Sequence, residues 1–593
     1  MLKRFFLNVL SAFMGAWLAI VVSGLCLMLV VFGIIGIVAG SQSAIEKNSV
    51  LKIDLQGELI ERENPANLDV MSLLTSGKLE YQAVETLVSA LGQAKNDDRI
   101  KAVYLDCGVL AAAPASVNAV RDALKDFKSS GKKIYAYADQ YSQSAYYVAT
   151  VADELYVNPI GSVDIHGLGG ESLFYKDLFD KIGLEFQVVR VGEGKSAVEP
   201  YTQNHMSEYA RNQTMQLLDT IWGGLRGAIA SSRGIASADI DTLINRDIPG
   251  IRTGSFAKEH KLVDGTMYRH EFEKHIADAV GQKDGLEHVV KPSTLASVNA
   301  VMSPAMGGDN QIAVLYACGG IDNGLEGGIN STDLVKEILE LADDENVKGL
   351  VLRVNSPGGS AYGSEQIWEA VEYFKKQKKP VAVSMGDYAA SGGYYISCGA
   401  NRIFADKYTI TGSIGIFGLI PNIKGLTEKI GLNAEMVSTN PEAQLFTLFE
   451  PLNDHQLASL QQMVDDGYEL FVKRCADGRH LPVDSIKAIA DGRPIAATVA
   501  VRYKLVDQIG SLQQAIDWTA AKAGIAKDYN VGVYPFIEPN IFLQMAQQQT
   551  VLPAPIQKLF YGRDMDAEML NMLGGILTAD RLKAEYSVLR IKM

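Results

Sequence analysis

The chain has 593 residues, of which 47% are hydrophobic and 21% are charged, and this balance indicates a folded protein of several domains. Its formal net charge of −14 argues against a nucleic-acid partner, because phosphate binding requires clustered Lys and Arg. The 5 Cys and 8 His are dispersed, without the spacing of a disulfide framework or a zinc site, so we predict no metal and no cofactor.

The N-terminal segment predicts a transmembrane anchor. Lys3 and Arg4 precede an uncharged stretch from Phe5 to Ile45, whose apolar core runs from Leu7 to Ala39. About 20 apolar residues span a bilayer, whereas the apolar region of a cleaved signal peptide is shorter, so cleavage is the weaker alternative. The basic pair places the N-terminus in the cytoplasm and the rest of the chain outside it. In a bacterium with two membranes, the rest of the chain is then periplasmic.

Two long segments of the chain repeat each other. The tetrapeptide Lys181–Leu184 recurs as Lys429–Leu432, and at the same offset Asp139 matches Asp387. Further matches follow in the same order: Tyr146-Tyr147 with Tyr394-Tyr395, Gly161-Ser162 with Gly412-Ser413, and Lys261–Asp264 with Lys504–Asp507. Because the order is preserved, the sequence predicts two copies of one domain.

Each copy is predicted to have an α/β fold, because short apolar runs suited to buried strands alternate with amphipathic stretches. In the second copy the predicted strands are Gln311–Ala317, Gly349–Val354 and Val381–Met385, and the predicted helices include Asp333–Ala342 and Ser364–Phe374. We divide the chain into an anchor (residues 1–45), an N-terminal repeat (46–300), a C-terminal repeat (301–540) and a tail without counterpart in the first copy (541–593).

Two glycine-rich turns in the C-terminal repeat follow predicted strands and precede predicted helices. They are Asn355–Ser360 and Asp387–Tyr395, and the second contains Ser391 between small residues. Backbone N–H groups at a helix start are free to bind an anion, and small neighbours let a substrate approach, so Ser391 is a candidate nucleophile. The alternative is an ordinary strand-to-helix connection in which Ser391 is only an N-cap.

A serine nucleophile requires a base, and no histidine follows Ser391 in a triad-like setting. His455 and His480 lie in polar helical or loop stretches, and His166 has Phe417 at the equivalent position of the other repeat. A lysine can replace histidine when burial lowers its pKa from about 10.4 towards neutrality.

Three motifs, taken in order, resemble one enzyme family. Together with the two glycine-rich turns, the segment Gly194–Pro200 (GKSAVEP) is similar to the large, duplicated form of the bacterial signal peptide peptidase A family, also called protease IV. The resemblance covers essentially the whole chain. It implies two tandem copies of the spiral α/β fold of the Clp protease and crotonase superfamily, with a Ser–Lys dyad that acts through an acyl-enzyme.

The resemblance also implies roles for individual residues. Matched position by position, it makes Ser391 the nucleophile and Lys195 the general base. The N–H groups of Gly358 or Gly359 and of Gly392 are then expected to hold the oxyanion. One more residue, directly after the base, is a candidate for positioning the ammonium group of the lysine: Ser196.

Each repeat lacks what the other carries. Gln143 stands at the position equivalent to Ser391, and the segment that matches Lys195 in the C-terminal repeat is Ala443–Phe446, without a lysine. We therefore expect one site per chain, assembled from both repeats. A one-residue shift would instead align one of the two serines that flank Gln143, without a base: Ser142 and Ser144.

Substrate, location and assembly follow from the resemblance as expectations. The substrates are remnant signal peptides left after protein export, and the enzyme is bound to the membrane in which they accumulate. Family members assemble into rings, so a homo-oligomer, a tetramer, is expected by analogy. The sequence leaves open whether Lys195 reaches Ser391 within one chain or across a subunit contact.

Two other classes of function stay open at this point. A crotonase-like acyl-CoA hydratase would also use backbone N–H groups near glycine-rich turns, but it would need neither an anchor nor a Ser/Lys pair. A membrane scaffold built on a decayed protease repeat would suit the first copy, whereas the second copy retains a complete glycine-rich site.

Overall fold

The computed structural model describes residues 45–62, 81–246, 253–296, 309–322, 328–445 and 447–535. The predicted anchor, apart from its last residue, and the predicted tail lie outside these ranges. Among the described residues, no helix combines the length and the apolarity needed to cross a bilayer.

The N-terminal repeat folds around a parallel β-sheet. Its strands are β1 (Ser49–Ile60), β2 (Tyr81–Ala83), β3 (Ile100–Ala111), β4 (Lys133–Tyr141), β5 (Glu154–Val163), β6 (Glu185–Arg190), β7 (Gly265–Thr266) and β8 (Val289–Val290). The sheet has the order β2-β1-β3-β4-β5-β7, with β8 also paired to β1, and β6 stands apart from it. Every strand pair in this sheet is parallel.

Helices connect and cover these strands. They are α1 (Val84–Asn96), α2 (Pro114–Lys128), α3 (Gln143–Ala149), α4 (Lys176–Ile182), α5 (Glu199–Thr202), α6 (Glu208–Arg233), α7 (Ser237–Arg246), α8 (Gly254–Glu259) and α9 (Arg269–Val280), with a 3-10 turn at Ser196–Val198.

The C-terminal repeat has the same plan. Its strands are β9 (Gln311–Cys318), β10 (Val347–Ser356), β11 (Val381–Ala390), β12 (Arg402–Ala405), β13 (Ile410–Gly412), β14 (Phe417–Asn422), β15 (Pro494–Ala496), β16 (Gln508–Ile509) and β17 (Asn530–Tyr534). The sheet runs in the order β15-β13-β11-β10-β9-β17, and β12 pairs with β11 and β16. The β13–β15 pair is antiparallel and the other pairs in this sheet are parallel.

The helices of this repeat alternate with its strands. They are α10 (Ser331–Asp343), α11 (Ala361–Lys376), α12 (Gly392–Cys398), α13 (Lys424–Lys429), α14 (Asp454–Arg479), α15 (Val483–Lys487), α16 (Ala497–Arg502) and α17 (Leu512–Lys522), with a 3-10 turn at Pro441–Gln444.

Burial explains the apolar strands that the sequence predicts. Leu350, Val351 and Leu352 on β10 are fully buried, as expected where helices cover both faces of a parallel sheet. The prediction for β11 is too short, since it stops at Met385. The strand continues because residues 388–390 pair with β13, and this extension carries the chain to the residue before Ser391.

Two features join the repeats into one structure. Strand β6 pairs antiparallel with β14, and α14 packs against β6, where Gln461 exchanges two hydrogen bonds with the backbone of Arg190. The hydrophobic core of the N-terminal repeat also includes three residues of the C-terminal repeat: Tyr408, Ile410 and Ala496. The repeats therefore share buried surface beside the segments that carry Lys195 and Ser391.

Candidate active site

Ser391 lies at the sharp turn between β11 and α12. Its backbone angles, φ 54° and ψ −119°, are unusual for a residue with a side chain. Such backbone conformations cost on the order of 1–3 kcal/mol and cluster at functional sites. The N–H of Ser391 donates to the carbonyl oxygen of Gly412 at 2.9 Å, which helps to hold the turn. The hydroxyl is thereby presented at the N-terminus of a helix.

Lys195 comes from the N-terminal repeat, in the loop that follows β6. The loop is held by the C-terminal repeat, because the N–H of Gly194 donates to the carbonyl oxygen of Asp491 at 2.8 Å. Gly492 has φ +92°, and a Cβ there would lie 2.8 Å from the backbone nitrogen of Lys195. This contact requires glycine, since any larger residue would displace the lysine.

The two candidate residues meet. Lys195 Nζ lies 3.0 Å from Ser391 Oγ, within hydrogen-bonding distance. The lysine is 4% exposed, and in the described part of the chain no carboxylate forms an ion pair with it. Burial lowers the pKa of Lys195 to about 7, because the ammonium loses its hydration without gaining a counter-charge. A lysine in this state can accept a proton near neutral pH.

Sequence reasoning missed Ser413. Its hydroxyl lies 2.9 Å from Lys195 Nζ and its carbonyl oxygen 3.0 Å, while the hydroxyl donates to the carbonyl oxygen of Gly492 at 3.0 Å. Ser413 also has a positive φ of 51°. One feature of the sequence points to Ser413: the pair Gly412-Ser413 matches Gly161-Ser162 in the duplication. That match indicates a repeat but does not assign a role to the serine.

Ser196, the residue that the sequence suggests for positioning the lysine ammonium, does not hydrogen-bond to Lys195 Nζ. It begins the short 3-10 turn after Lys195, and the hydrogen bonds that Lys195 Nζ makes to described residues go to Ser391 and Ser413. The backbone direction explains the difference, because the lysine side chain points into the C-terminal repeat while the turn at Ser196 leads away along the N-terminal repeat towards α5.

The glycine-rich turn after β10 packs directly against the turn at Ser391. A Cβ on Gly358 would lie 2.7 Å from the nitrogen of Gly392, and one on Gly359 would lie 2.2 Å from the carbonyl oxygen of Ile321. Both glycines have positive φ, +106° and +153°. Only glycine fits these positions, and the backbone therefore comes close to Ser391.

The N–H groups at this contact differ in their availability. The N–H of Gly358 already donates to Ser356 Oγ at 3.2 Å. Among the described residues, those of Gly359 and Gly392 have no hydrogen-bond acceptor, and the nitrogen of Gly359 lies 3.2 Å from a Cβ placed on Gly392. Of the three predicted oxyanion donors, the structure thus brings two free N–H groups together beside Ser391.

The corresponding place in the N-terminal repeat is filled. The buried side chain of Gln143 accepts the N–H groups of His166 and Gly167, both at 2.9 Å, and donates to the carbonyl oxygen of Gly167. Ser142 caps α3 and donates to the carbonyl oxygen of Gly108 at 3.1 Å. The space that a nucleophile and its substrate would need is taken up by an amide and its backbone partners.

Comparison with known families agrees with the duplicated α/β architecture. The model of Peptidase family S49 matches residues 126–283 and again residues 373–526. The Clp protease model matches residues 327–407. The two domain copies and the Clp-protease-like fold that the sequence predicts are therefore confirmed.

Three relatives extend this comparison. Protease 4 of Haemophilus influenzae is 34% identical over 554 residues, which cover 87% of this chain and 88% of the relative. Protease 4 of Salmonella typhi is 32% identical over 88% of this chain and 86% of the relative. A putative signal peptide peptidase SppA of Enterococcus faecium is 35% identical over 188 residues, 32% of this chain and 55% of that protein.

Proposed function

Because the chain belongs to peptidase family S49 and is a serine protease, we propose that Ser391 is its nucleophile and Lys195 its general base. The observation that carries this assignment is the 3.0 Å contact between Lys195 Nζ and Ser391 Oγ at a buried lysine. The contact forms within one chain, so we propose one site per chain at the junction of an N-terminal repeat (46–300) and a C-terminal repeat (301–540).

The proposed reaction is acyl transfer to serine followed by hydrolysis. Neutral Lys195 takes the proton of the Ser391 hydroxyl as Oγ attacks the peptide carbonyl carbon, and the carbonyl oxygen becomes an oxyanion. The free N–H groups of Gly359 and Gly392 hold this oxyanion. The lysine then gives its proton to the leaving amine, and water hydrolyses the acyl-enzyme in a second round of the same steps.

Ser413 has a supporting role in this proposal. Its hydroxyl can accept from the protonated lysine while it donates to the carbonyl oxygen of Gly492. The ammonium that forms during the reaction is therefore met by fixed acceptors in a site shielded from water.

As substrates we propose remnant signal peptides, which are apolar. Support comes from the name of the Enterococcus faecium relative and from exposed apolar side chains on the segments that flank the site. Exposed apolar residues are found on and beside α4 and on and after β14: Leu173, Leu178, Ile182, Phe417, Ile430, Leu432, Leu448 and Phe449. Such residues suit an apolar peptide bound in extended form.

We also propose that the chain is anchored in the bacterial inner membrane by residues 1–45, with the catalytic body outside the cytoplasm. The apolar stretch from Leu7 to Ala39 supports this location. A homo-oligomer, a tetramer, is proposed from the family resemblance. It is supported by two apolar residues on the N-terminal repeat, Val109 and Ile160, which are strongly exposed.

The decisive experiment uses the full chain purified in detergent. We expect it to cleave a synthetic signal peptide, and a fluorophosphonate probe to label Ser391 in the wild type but not in Ser391→Ala. An acyl-CoA hydratase would show neither result, and a pure scaffold would bind peptide without cleaving it. Cleavage that persists in Ser391→Ala would refute the assignment, and cleavage only of folded or polar substrates would refute the proposed substrate class.

A further inference from the structure

Asp387 makes an unusual contact between the repeats. It lies on β11, four residues before Ser391, and its carboxylate reaches the N-terminal repeat. Asp387 Oδ1 accepts the N–H of Ser116 at 2.8 Å, and Oδ2 accepts the Ser116 hydroxyl at 2.5 Å. Only 8% of Asp387 is exposed, so these are buried, charge-assisted hydrogen bonds.

The helix that receives this contact has no cap of its own. Helix α2 begins at Pro114, and the residue at its N-cap position, Ala113, has no side-chain acceptor. A capping side chain normally accepts an N–H of the first turn and favours the positive end of the helix dipole. Asp387 supplies that acceptor at Ser116 from the other repeat. The start of α2 is therefore tied to the strand that presents Ser391.

The same carboxylate also contacts the glycine-rich turn. Asn355, the first residue of that turn, has its amide nitrogen 3.4 Å from Asp387 Oδ2, and its amide oxygen accepts the N–H of Tyr388 at 3.0 Å. Two charged residues, Arg353 and Glu61, belong to the same network. Arg353 donates to Glu61 at 2.7 Å, and the amide nitrogen of Asn355 lies 3.3 Å from the Glu61 carboxylate. This network joins the two halves of the candidate site to each other and to the N-terminal repeat.

The duplication offers an internal comparison. Asp139 is the counterpart of Asp387, yet its carboxylate is 54% exposed and pairs with Arg269 at 2.9 Å and with Asn158 at 2.8 Å. All these partners belong to the N-terminal repeat. In the described part of the chain, the aspartate at this position of the N-terminal repeat makes no hydrogen bond or ion pair to the other repeat. The contacts of Asp387 are therefore not a requirement of the domain itself.

We propose that Asp387 is a positioning residue for the dyad. It holds α2 against β11, the strand that leads to Ser391, and through Asn355 it keeps the glycine-rich turn Asn355–Ser360 in position beside Ser391. The carboxylate touches none of the reacting atoms. The inference rests on the proposed function, because it takes Ser391 and Lys195 as the catalytic pair. Its consequence is that the relative placement of the repeats, which determines how Lys195 meets Ser391, depends on this buried carboxylate.

The test compares Asp387→Ala and Asp387→Asn with the matched control Asp139→Ala in the full chain. Three quantities are measured: kcat and KM on a peptide, and the rate constant for fluorophosphonate labelling of Ser391. Loss of charge-assisted hydrogen bonds at a buried site is expected to lower kcat and the labelling rate of Asp387→Ala by about 10- to 100-fold, with KM nearly unchanged. The asparagine retains an acceptor for the N–H of Ser116 and should restore part of both rates.

A control variant and a second variant, which removes part of the same contact from the other side, complete the test. Asp139→Ala should keep the wild-type labelling rate, and Ser116→Ala, which removes one of the two bonds, should lose rate in the same direction as Asp387→Ala. Wild-type kcat and labelling in a folded Asp387→Ala, or equal losses in Asp387→Ala and Asp139→Ala, would overturn the proposal. If Asp387→Ala does not fold, wild-type rates in both Asp387→Asn and Ser116→Ala overturn it.

The proposed function fails in a different way. In that case Ser391 of the wild-type chain is not labelled, or Ser391→Ala keeps its activity, whatever residue stands at position 387.

Discussion

Lys195 Nζ and Ser391 Oγ lie 3.0 Å apart although 196 positions separate the two residues in the chain. The two residues belong to different repeats. The loop that carries Lys195 is held by the backbone of the C-terminal repeat, whereas Ser391 lies in a strained turn of its own repeat. The contact exists within a single chain.

Removal of either member of the pair is expected to abolish peptide cleavage. Ser391→Ala has no nucleophile, and Lys195→Ala leaves the hydroxyl without a base, so kcat should fall by at least about 10³-fold in each. Thermal unfolding monitors the fold. Ser144→Ala, on the residue next to the counterpart position Gln143, is the matched control and should keep near-normal kcat. Activity lost in this control instead would place the nucleophile in the N-terminal repeat.

A mixture of inactive chains tests whether the site is formed within one subunit. Because the contact is made inside one chain, co-expression of Lys195→Ala with Ser391→Ala should not restore cleavage. If partner chains shared sites, random mixing would leave about one site in four with both an intact lysine and an intact serine, so activity approaching a quarter of the wild type would contradict the structure.

Activity should depend on pH through the lysine. Burial lowers the pKa of Lys195 to about 7, and only the neutral amine can take the serine proton. The protonated, inactive form dominates below this pKa, so kcat/KM should rise with pH through about 7 and level off above about 8. The measurement is a profile from about pH 5.5 to 9 on a peptide without titrating groups. A flat profile, or a midpoint near the usual lysine pKa, would contradict a buried neutral base.

Ser413→Ala should weaken catalysis without changing substrate binding. The substitution removes a hydroxyl acceptor 2.9 Å from Lys195 Nζ, and the loss of one hydrogen bond to a charged group corresponds to about a 10- to 100-fold fall in kcat. KM should stay within about twofold. The matched control is Ser162→Ala, at the equivalent position of the N-terminal repeat, and we expect no effect there. Equal effects in the two variants would indicate a general loss of stability.

A methyl group added to the glycine-rich turn Asn355–Ser360 should lower catalytic activity for a local reason. In Gly359→Ala the Cβ would lie 2.2 Å from the carbonyl oxygen of Ile321, so the turn must move and its free N–H leaves the side of Ser391. Removal of one oxyanion donor typically costs about 10²- to 10³-fold in kcat. Gly431→Ala is the control, since Gly431 also has positive φ, +80°, but nothing lies within 4 Å of its Cβ. Stopped-flow acylation rates distinguish the two variants.

Stability should depend on pH through Asp406, a buried carboxylate at the repeat junction. It accepts from Asn118 at 2.6 Å and from the N–H of Tyr408 at 2.9 Å, with Asp122 and Lys407 as charged neighbours. Burial raises the pKa of Asp406 to about 7. The folded state therefore holds a proton that the unfolded state has released between about pH 4 and 7, so the free energy of unfolding falls as pH rises through this window.

Asp406→Asn removes that titration. In the wild type, the free energy of unfolding should fall by about 2–4 kcal/mol between about pH 4 and 7. This fall should be largely absent from the variant when urea unfolding is measured at several pH values. Asp278→Asn makes the same charge change on the exposed face of α9 and should leave the wild-type slope in place. A slope that is unaltered in Asp406→Asn would show that this carboxylate does not titrate in the folded state over this range.

The sequence by itself determined the duplication, the α/β class and the two candidate residues. Apolar runs, glycine-rich turns and repeated strings are local features, and their meaning depends on residues close together in the chain. Ser391 stood out because small residues surround it at a strand-to-helix turn. Lys195 was named by the resemblance of Gly194–Pro200 to the protease IV family, and the repeat comparison supported it because the counterpart segment, Ala443–Phe446, has no lysine.

The tertiary structure alone decided which groups surround that pair. Ser413 beside the lysine, Gln143 filling the counterpart site and Asp387 reaching Ser116 all depend on contacts between residues far apart in sequence. No local pattern encodes them, because packing of the two repeats sets the direction of each side chain. The same packing buries Lys195 without an ion-pair partner among the described residues, and this burial lowers its pKa to about 7. The sequence shows that a lysine base would need such burial but does not show the burial itself.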